Sequence, residues 1–184
     1  MAVIHRITEQ EYIDLALEDS RLELWDGEPR EKPTMSSTHE DMPTYLAHLL
    51  MNQLDRREFR VSVNGAKARL SGSTYFVPDV VVIPTAWVAP FRDDPRHLAA
   101  HADPLPLVVE IWSRTTGAYD FERKLTAYHE RGDREIWYIH PCRRQLTAWR
   151  RQPDSTYEET VHNGGIVPVA SLPGVTIDLD DLLA

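Results

Sequence analysis

Apolar and polar positions in this chain of 184 residues follow two rhythms, one helical and one extended. From Thr8 to Leu17 the spacing predicts a short helix. Thr8 can cap it, and Glu11 follows three residues later as a capping box requires. Leu22-Glu-Leu-Trp25 alternates with the period of a strand and runs into Asp26-Gly27. That dipeptide accepts positive φ and so predicts a tight hairpin. The return strand is expected from Glu28 towards Lys32, with Pro33 closing it. A second helix is predicted to open near Ser37 or Thr38, where Ser37 and Glu40 repeat the capping-box spacing. Met42, Tyr45, Leu46, Leu49, Leu50 and Leu54 share one face of it, and Pro43 fits only because it lies near the first turn. Phe59 to Asn64 alternates as a strand, with Lys67 to Leu70 as its expected partner.

Further on, the alternation gives way to continuous apolar runs. Tyr75 to Ile83, closed by Pro84, is one; Leu105 to Trp112 and Glu135 to His140 are two more. Runs of this kind predict strands buried on both faces. Residues 85 to 104, rich in Pro, Asp and His, predict a long surface loop. Asp120 to Arg131 predicts a helix stopped by Gly132. Leu146 to Arg150 and Tyr157 to Val161 read as later antiparallel strands, and Leu179 to Leu183 as a short terminal helix. The sum is a mixed α/β (α+β) domain spanning residues 1–184. Helices flank a central mixed twisted sheet, with an N-terminal hairpin and extra C-terminal antiparallel strands.

Composition narrows the classes. An apolar fraction of 42% and a charged fraction of 27% suit a soluble globular domain. No apolar run approaches the roughly 20 residues that span a bilayer, and the N-terminus lacks the apolar stretch of a secretory signal. Cys142 is the only cysteine, which excludes an intrachain disulfide and a cysteine-based zinc site. These features predict a cytoplasmic protein with no membrane partner. The net charge of −9 works against generic nucleic-acid binding, which is driven by neutralising phosphates. Local basic stretches remain at Arg143-Arg144 and Arg150-Arg151.

Two acids interrupt strands that otherwise look fully buried. Glu110 stands inside Val108-Val-Glu-Ile-Trp112, and Asp79 heads Val80-Val-Val-Ile83. A buried carboxylate needs a cation, hydrogen bonds or a metal. Oxygen ligands of this kind suit Mg²⁺ or Mn²⁺. Phe121, Leu125 and Tyr128 mark the apolar face of the helix 120–131, and Lys124 shares that face. An inward ammonium beside carboxylates could stabilise a phosphoryl transition state or orient a water. Against this stands a structural Glu110–Lys124 ion pair, a snorkelling Lys124, or Asp79 as a turn residue after Pro78. His97 and His101 have i, i+4 spacing but no third ligand nearby, and His140 reads as structural. Ser113 has no nucleophile elbow, and Gly164-Gly165 lacks the lysine of a phosphate loop. Trp25, Trp112, Trp137 and Trp149 read as core.

The order of several segments resembles one family, the Uma-type restriction-endonuclease-like proteins of the PD-(D/E)XK nuclease superfamily. The matching segments are Leu22-Glu-Leu-Trp-Asp-Gly-Glu28, Ser36-Ser-Thr-His39, Tyr75-Phe-Val-Pro-Asp-Val80, Val108-Val-Glu-Ile-Trp-Ser113, Tyr119-Asp-Phe-Glu-Arg-Lys124, Glu135-Ile-Trp-Tyr-Ile-His-Pro141 and Leu172-Pro-Gly-Val-Thr-Ile-Asp-Leu179. The resemblance implies a Mg²⁺- or Mn²⁺-dependent endonuclease acting on nucleic acid, DNA above RNA. It implies Asp79 and Glu110 as metal ligands and Lys124 as the lysine, which has moved to the helix because Trp112 stands where the simple motif places it. Glu23 and His39 match family positions and are supporting candidates. By analogy with restriction enzymes, a homodimer is expected. The alternative is a binding or regulatory module that keeps the fold without turnover.

Overall fold

The structure, a computed structural model, describes residues 5–32, 41–113 and 117–184, the side chains of 117–119 excepted. The chain opens with α1 (Glu9–Glu18), and Thr8 and Glu11 form the reciprocal capping box expected of them. β1 (Leu22–Trp25) and β2 (Glu28–Glu31) make the predicted hairpin, with Trp25 opposite Glu28. Asp26 and Gly27 both take positive φ there, 50° and 88°. α2 (Met42–Met51) carries Pro43 in its first turn. Its expected opening at Ser37 or Thr38 lies outside the described residues.

β3 (Phe59–Val63), β4 (Lys67–Ser71), β5 (Thr74–Phe76) and β6 (Val80–Pro84) follow. Two expectations are corrected here. β3 pairs with β6, not with β4, which pairs with β5. The apolar run from Tyr75 to Ile83 is not one strand but two. Pro78 has no N–H to give a ladder and holds the residue before it extended, so the chain leaves one sheet at Phe76 and enters another at Val80. The expected loop 85–104 carries a short helix α3 (Thr85–Val88) and β7 (Ala100–His101). Then come β8 (Leu107–Ile111), α4 (Gly117–Arg131), β9 (Glu135–His140), β10 (Gln145–Arg151), β11 (Tyr157–His162), β12 (Ile166–Pro168), β13 (Thr176–Asp178) and α5 (Leu179–Leu182). Gly132 ends α4 at φ +75°.

The larger sheet runs β11-β10-β9-β8-β6-β3, and the smaller runs β2-β1-β5-β4-β7. β8 and β9 are parallel, as are β4 and β7. β12 and β13 form a separate ribbon. One face of the larger sheet buries Val80, Val109, Trp137 and Ile139 against Leu46 and Leu50 of α2, the ribbon and α5. The other face buries Val81, Val108 and Ile136 against Ala127 and Tyr128 of α4 and Phe76 of the smaller sheet. Each fully buried aliphatic side chain contributes about 2 kcal/mol. Tyr12 and Ala16 of α1 cover the far side of the smaller sheet over Leu24 and Tyr75. The seam between the two sheets is therefore lined by α4, by the β5–β6 crossover and by β1.

Candidate active site

At that seam the crossover Val77-Pro78-Asp79 carries polar groups into an otherwise apolar interior. Asp79 is buried at the entrance of β6, where its backbone N–H donates to Val109 O at 3.0 Å. Its Oδ2 accepts from the backbone N–H of Ile111 at 2.6 Å. This fixes Asp79 beside Glu110, the neighbour of Ile111 on β8. Glu110 is buried and its Oε1 accepts from Tyr128 Oη at 2.6 Å and from Lys124 Nζ at 3.3 Å. Lys124 projects from α4 onto the same oxygen-rich spot and donates more closely, at 2.8 Å, to Glu23 Oε1. Glu23, on β1, is held by the indole N–H of Trp25 and the backbone N–H of Val77, each at 2.8 Å.

Thus Asp79, Glu110, Lys124 and Glu23 converge, while His39 lies outside the described residues. Lys124 does not snorkel to solvent; it is 5% exposed and bridges two carboxylates. The network also contains residues that sequence reasoning passed over. Lys32, just after β2, pairs with Asp79 Oδ1 at 2.7 Å. Its charge in a polar stretch ending at Pro33 reads as surface, and only tertiary structure reveals its burial. Tyr128 reads as part of an apolar face, yet its hydroxyl is a donor; its spacing four residues after Lys124 was the available signal. Trp112 stacks on His140, with ring centroids 4.4 Å apart.

Electrostatics separates the groups. Burial raises the pKa of Glu110, and the charges of Lys124 and Lys32 do not fully offset it. Burial also pushes Glu23 up, but Lys124 and Lys32 outweigh it and the net shift is downward. Burial opposes the charge on Lys124, yet Glu110 and Glu23 hold its pKa above the ordinary range. Burial keeps Tyr128 a neutral donor, reinforced by Glu110.

Among the described residues three carboxylates (Glu23, Asp79, Glu110) face two ammoniums (Lys32, Lys124), an excess of one acidic group in a nearly closed space. Tyr128 and Lys124 both donate to the same oxygen of Glu110, Oε1. Hard oxygen donors with a net negative charge fit Mg²⁺ or Mn²⁺. Asp79 and Glu110 are the side chains that would hold it. Among the described residues no three His, Cys, Asp or Glu form a preassembled metal cage. Water or phosphate oxygens would complete the shell, as is usual for Mg²⁺.

The other candidates fall elsewhere. His97 stacks on Phe91 and His101 packs near Trp87. Burial, then the Arg131 charge, lowers the pKa of His101 to about 4. Of the basic stretches, Arg143-Arg144 follows the end of β9 nearest Tyr138, which lies opposite Glu110. Arg150-Arg151 lies at the other end of the sheet, lining a groove with Arg134. No helix among the described residues is long and apolar enough to cross a membrane.

Comparison with known proteins agrees with this architecture. No curated protein matches the chain. A solved protein from Anabaena variabilis ATCC 29413, described as a putative nuclease belonging to DUF820, superposes with a TM-score of 0.77 at 18% identity. The likeness covers 96% of this chain and 97% of that one, and establishes a shared fold. The Uma2 family, described as "Putative restriction endonuclease", matches residues 9–180. With nearly the whole chain covered, this protein belongs to the Uma2 family.

Proposed function

We propose that this chain is a divalent-metal-dependent endonuclease that hydrolyses phosphodiester bonds of nucleic acid, with DNA as the expected substrate. The observation that supports it most is the meeting of Asp79, Glu110 and Lys124 at one buried seam, each from a different element. Asp79 and Glu110 would hold Mg²⁺ or Mn²⁺. When bound, such an ion lowers the pKa of a coordinated water and polarises a phosphoryl oxygen.

The chain's own residues prepare that chemistry. Tyr128 and Lys124 both engage Oε1 of Glu110 and orient its carboxylate. The Ile111 N–H orients Asp79. Trp25 and Val77 orient Glu23, which in turn anchors Lys124. Lys124 stays charged in a site of low dielectric, where an ammonium stabilises the negative charge that develops on phosphorus oxygens. A cytoplasmic setting agrees with an exposed Cys142 as the only cysteine. A homodimer would bring two such sites to the two strands of a duplex, and β3 and β11 are the edges of the larger sheet.

The test is incubation of single- and double-stranded DNA and RNA with the protein in Mg²⁺, Mn²⁺ or EDTA. Metal-dependent cleavage is expected, and Asp79→Asn or Lys124→Met should each lower its rate by roughly 10²-fold or more. One observation favours the second reading, a binding or regulatory module: Lys32 and Lys124 already pair with all three carboxylates. Binding of nucleic acid without cleavage under any of these conditions would favour that module.

A further inference from the structure

We infer that Lys32 is a built-in cation of this site, seated on Asp79, and that an incoming divalent ion competes with it, so that Lys32 sets how tightly the ion binds. This rests on the proposed role of Asp79 and Glu110 as metal ligands. An ammonium has three N–H donors, and Lys32 spends all of them: on Asp79 Oδ1 at 2.7 Å, Val77 O at 2.6 Å and Asn64 Oδ1 at 3.0 Å. It is 5% exposed, so water does not screen the pair. The other oxygen of Asp79 is taken by the Ile111 N–H. Asp79 is thus neutralised from within the chain before any ion arrives.

The position of Lys32 is itself prepared. Asn64 sits at φ +49° in the turn after β3, and its backbone N–H donates to Asp79 O at 3.0 Å. Its side-chain oxygen then faces the lysine that binds the same aspartate. Counting the described groups, the three carboxylates and two lysines carry a single net negative charge. A divalent ion turns that into a single positive charge, suited to a phosphodiester anion. Without Lys32 the site would hold two negative charges and attract the ion more strongly, at the expense of its affinity for phosphate.

A merely structural ion pair makes the opposite prediction. Removing it would loosen Asp79 and leave ion binding unchanged or weaker. The two roles are separated by titrating Mn²⁺ calorimetrically into wild type, Lys32→Met and Asn64→Gly, with the Mn²⁺-induced rise in unfolding temperature as a second readout. Glycine takes the left-handed conformation of Asn64 without strain and keeps its backbone N–H. Lys32→Met should bind Mn²⁺ roughly ten- to a hundredfold more tightly. Asn64→Gly, which frees one of the three ammonium hydrogen bonds, should gain roughly two- to fivefold. If Lys32→Met does not fold without metal, Asn64→Gly decides the matter. Affinity equal to or below wild type in the folded variants would overturn the role of Lys32 while leaving Asp79 and Glu110 as ligands. Wild-type protein that binds no Mn²⁺ would overturn the metal-ligand reading and this inference with it.

Discussion

Lys124 lies between Glu23 and Glu110 and gives neither of them up to solvent. Its removal would leave two buried like charges facing each other, so Lys124→Met should cost roughly 3–5 kcal/mol of stability. Urea unfolding measures this; a loss below about 1 kcal/mol would show that the network relaxes without its ammonium. Tyr128→Phe keeps the ring and removes only the donor to Glu110 at 2.6 Å. It should cost roughly 1.5–3 kcal/mol, as for a hydrogen bond to a charged group. Near-wild-type stability would mean that Glu110 finds another donor. Asp79, Glu110 and Lys124 were legible as candidates because each breaks an apolar pattern: an acid in a buried strand, or a lysine on a buried helical face. Lys32 was not, because it breaks no pattern; it follows a short polar strand, and its burial depends on Val77 and Asn64, 45 and 32 residues away in sequence.

At the scale of elements, the hairpin, the Thr8–Glu11 capping box of α1 and the Gly132 stop were legible because backbone chemistry decides them locally. The partner of β3 was not. β3 alternates and is followed at once by β4, yet β3 joins the larger sheet and β4 the smaller. The same jump between sheets at Pro78 places the carboxylates, so the element-level error and the location of the site have one cause. A second buried network ties these elements without lining the site. Arg131, at the end of α4, spends all five N–H donors on Asp133 and on the carbonyls of Arg69, His101 and Asp103. Arg131→Met should therefore cost roughly 3–5 kcal/mol while leaving Mn²⁺ affinity at the wild-type value. A weakened ion site in the folded variant would show that the two networks are coupled.

For the whole molecule, charge and pH are the relevant quantities. A net charge of −9 gives little long-range attraction for nucleic acid, so under the proposed function the positive charge would be local, supplied by Lys124, Lys32 and the ion. Stability should fall in acid, and His101 contributes a defined share. Its folded pKa of about 4 lies below the ordinary 6.5, so the unfolded chain takes up the proton first. This contribution is complete above pH 6.5 and is lost as pH falls towards 4, at most about 3 kcal/mol. His101→Gln should flatten the stability profile in that window, as read by thermal unfolding from pH 7 to about 4; an unchanged profile would remove His101 as a cause.

The central claim is that Asp79 and Glu110 together hold one divalent cation. Calorimetric titration of Mg²⁺ and Mn²⁺ into wild type, Asp79→Ala and Glu110→Ala tests it most directly. One ion bound per chain in wild type, and none in either variant, is the predicted result. A wild type that binds no ion, or variants that bind it as well as wild type does, would contradict the account.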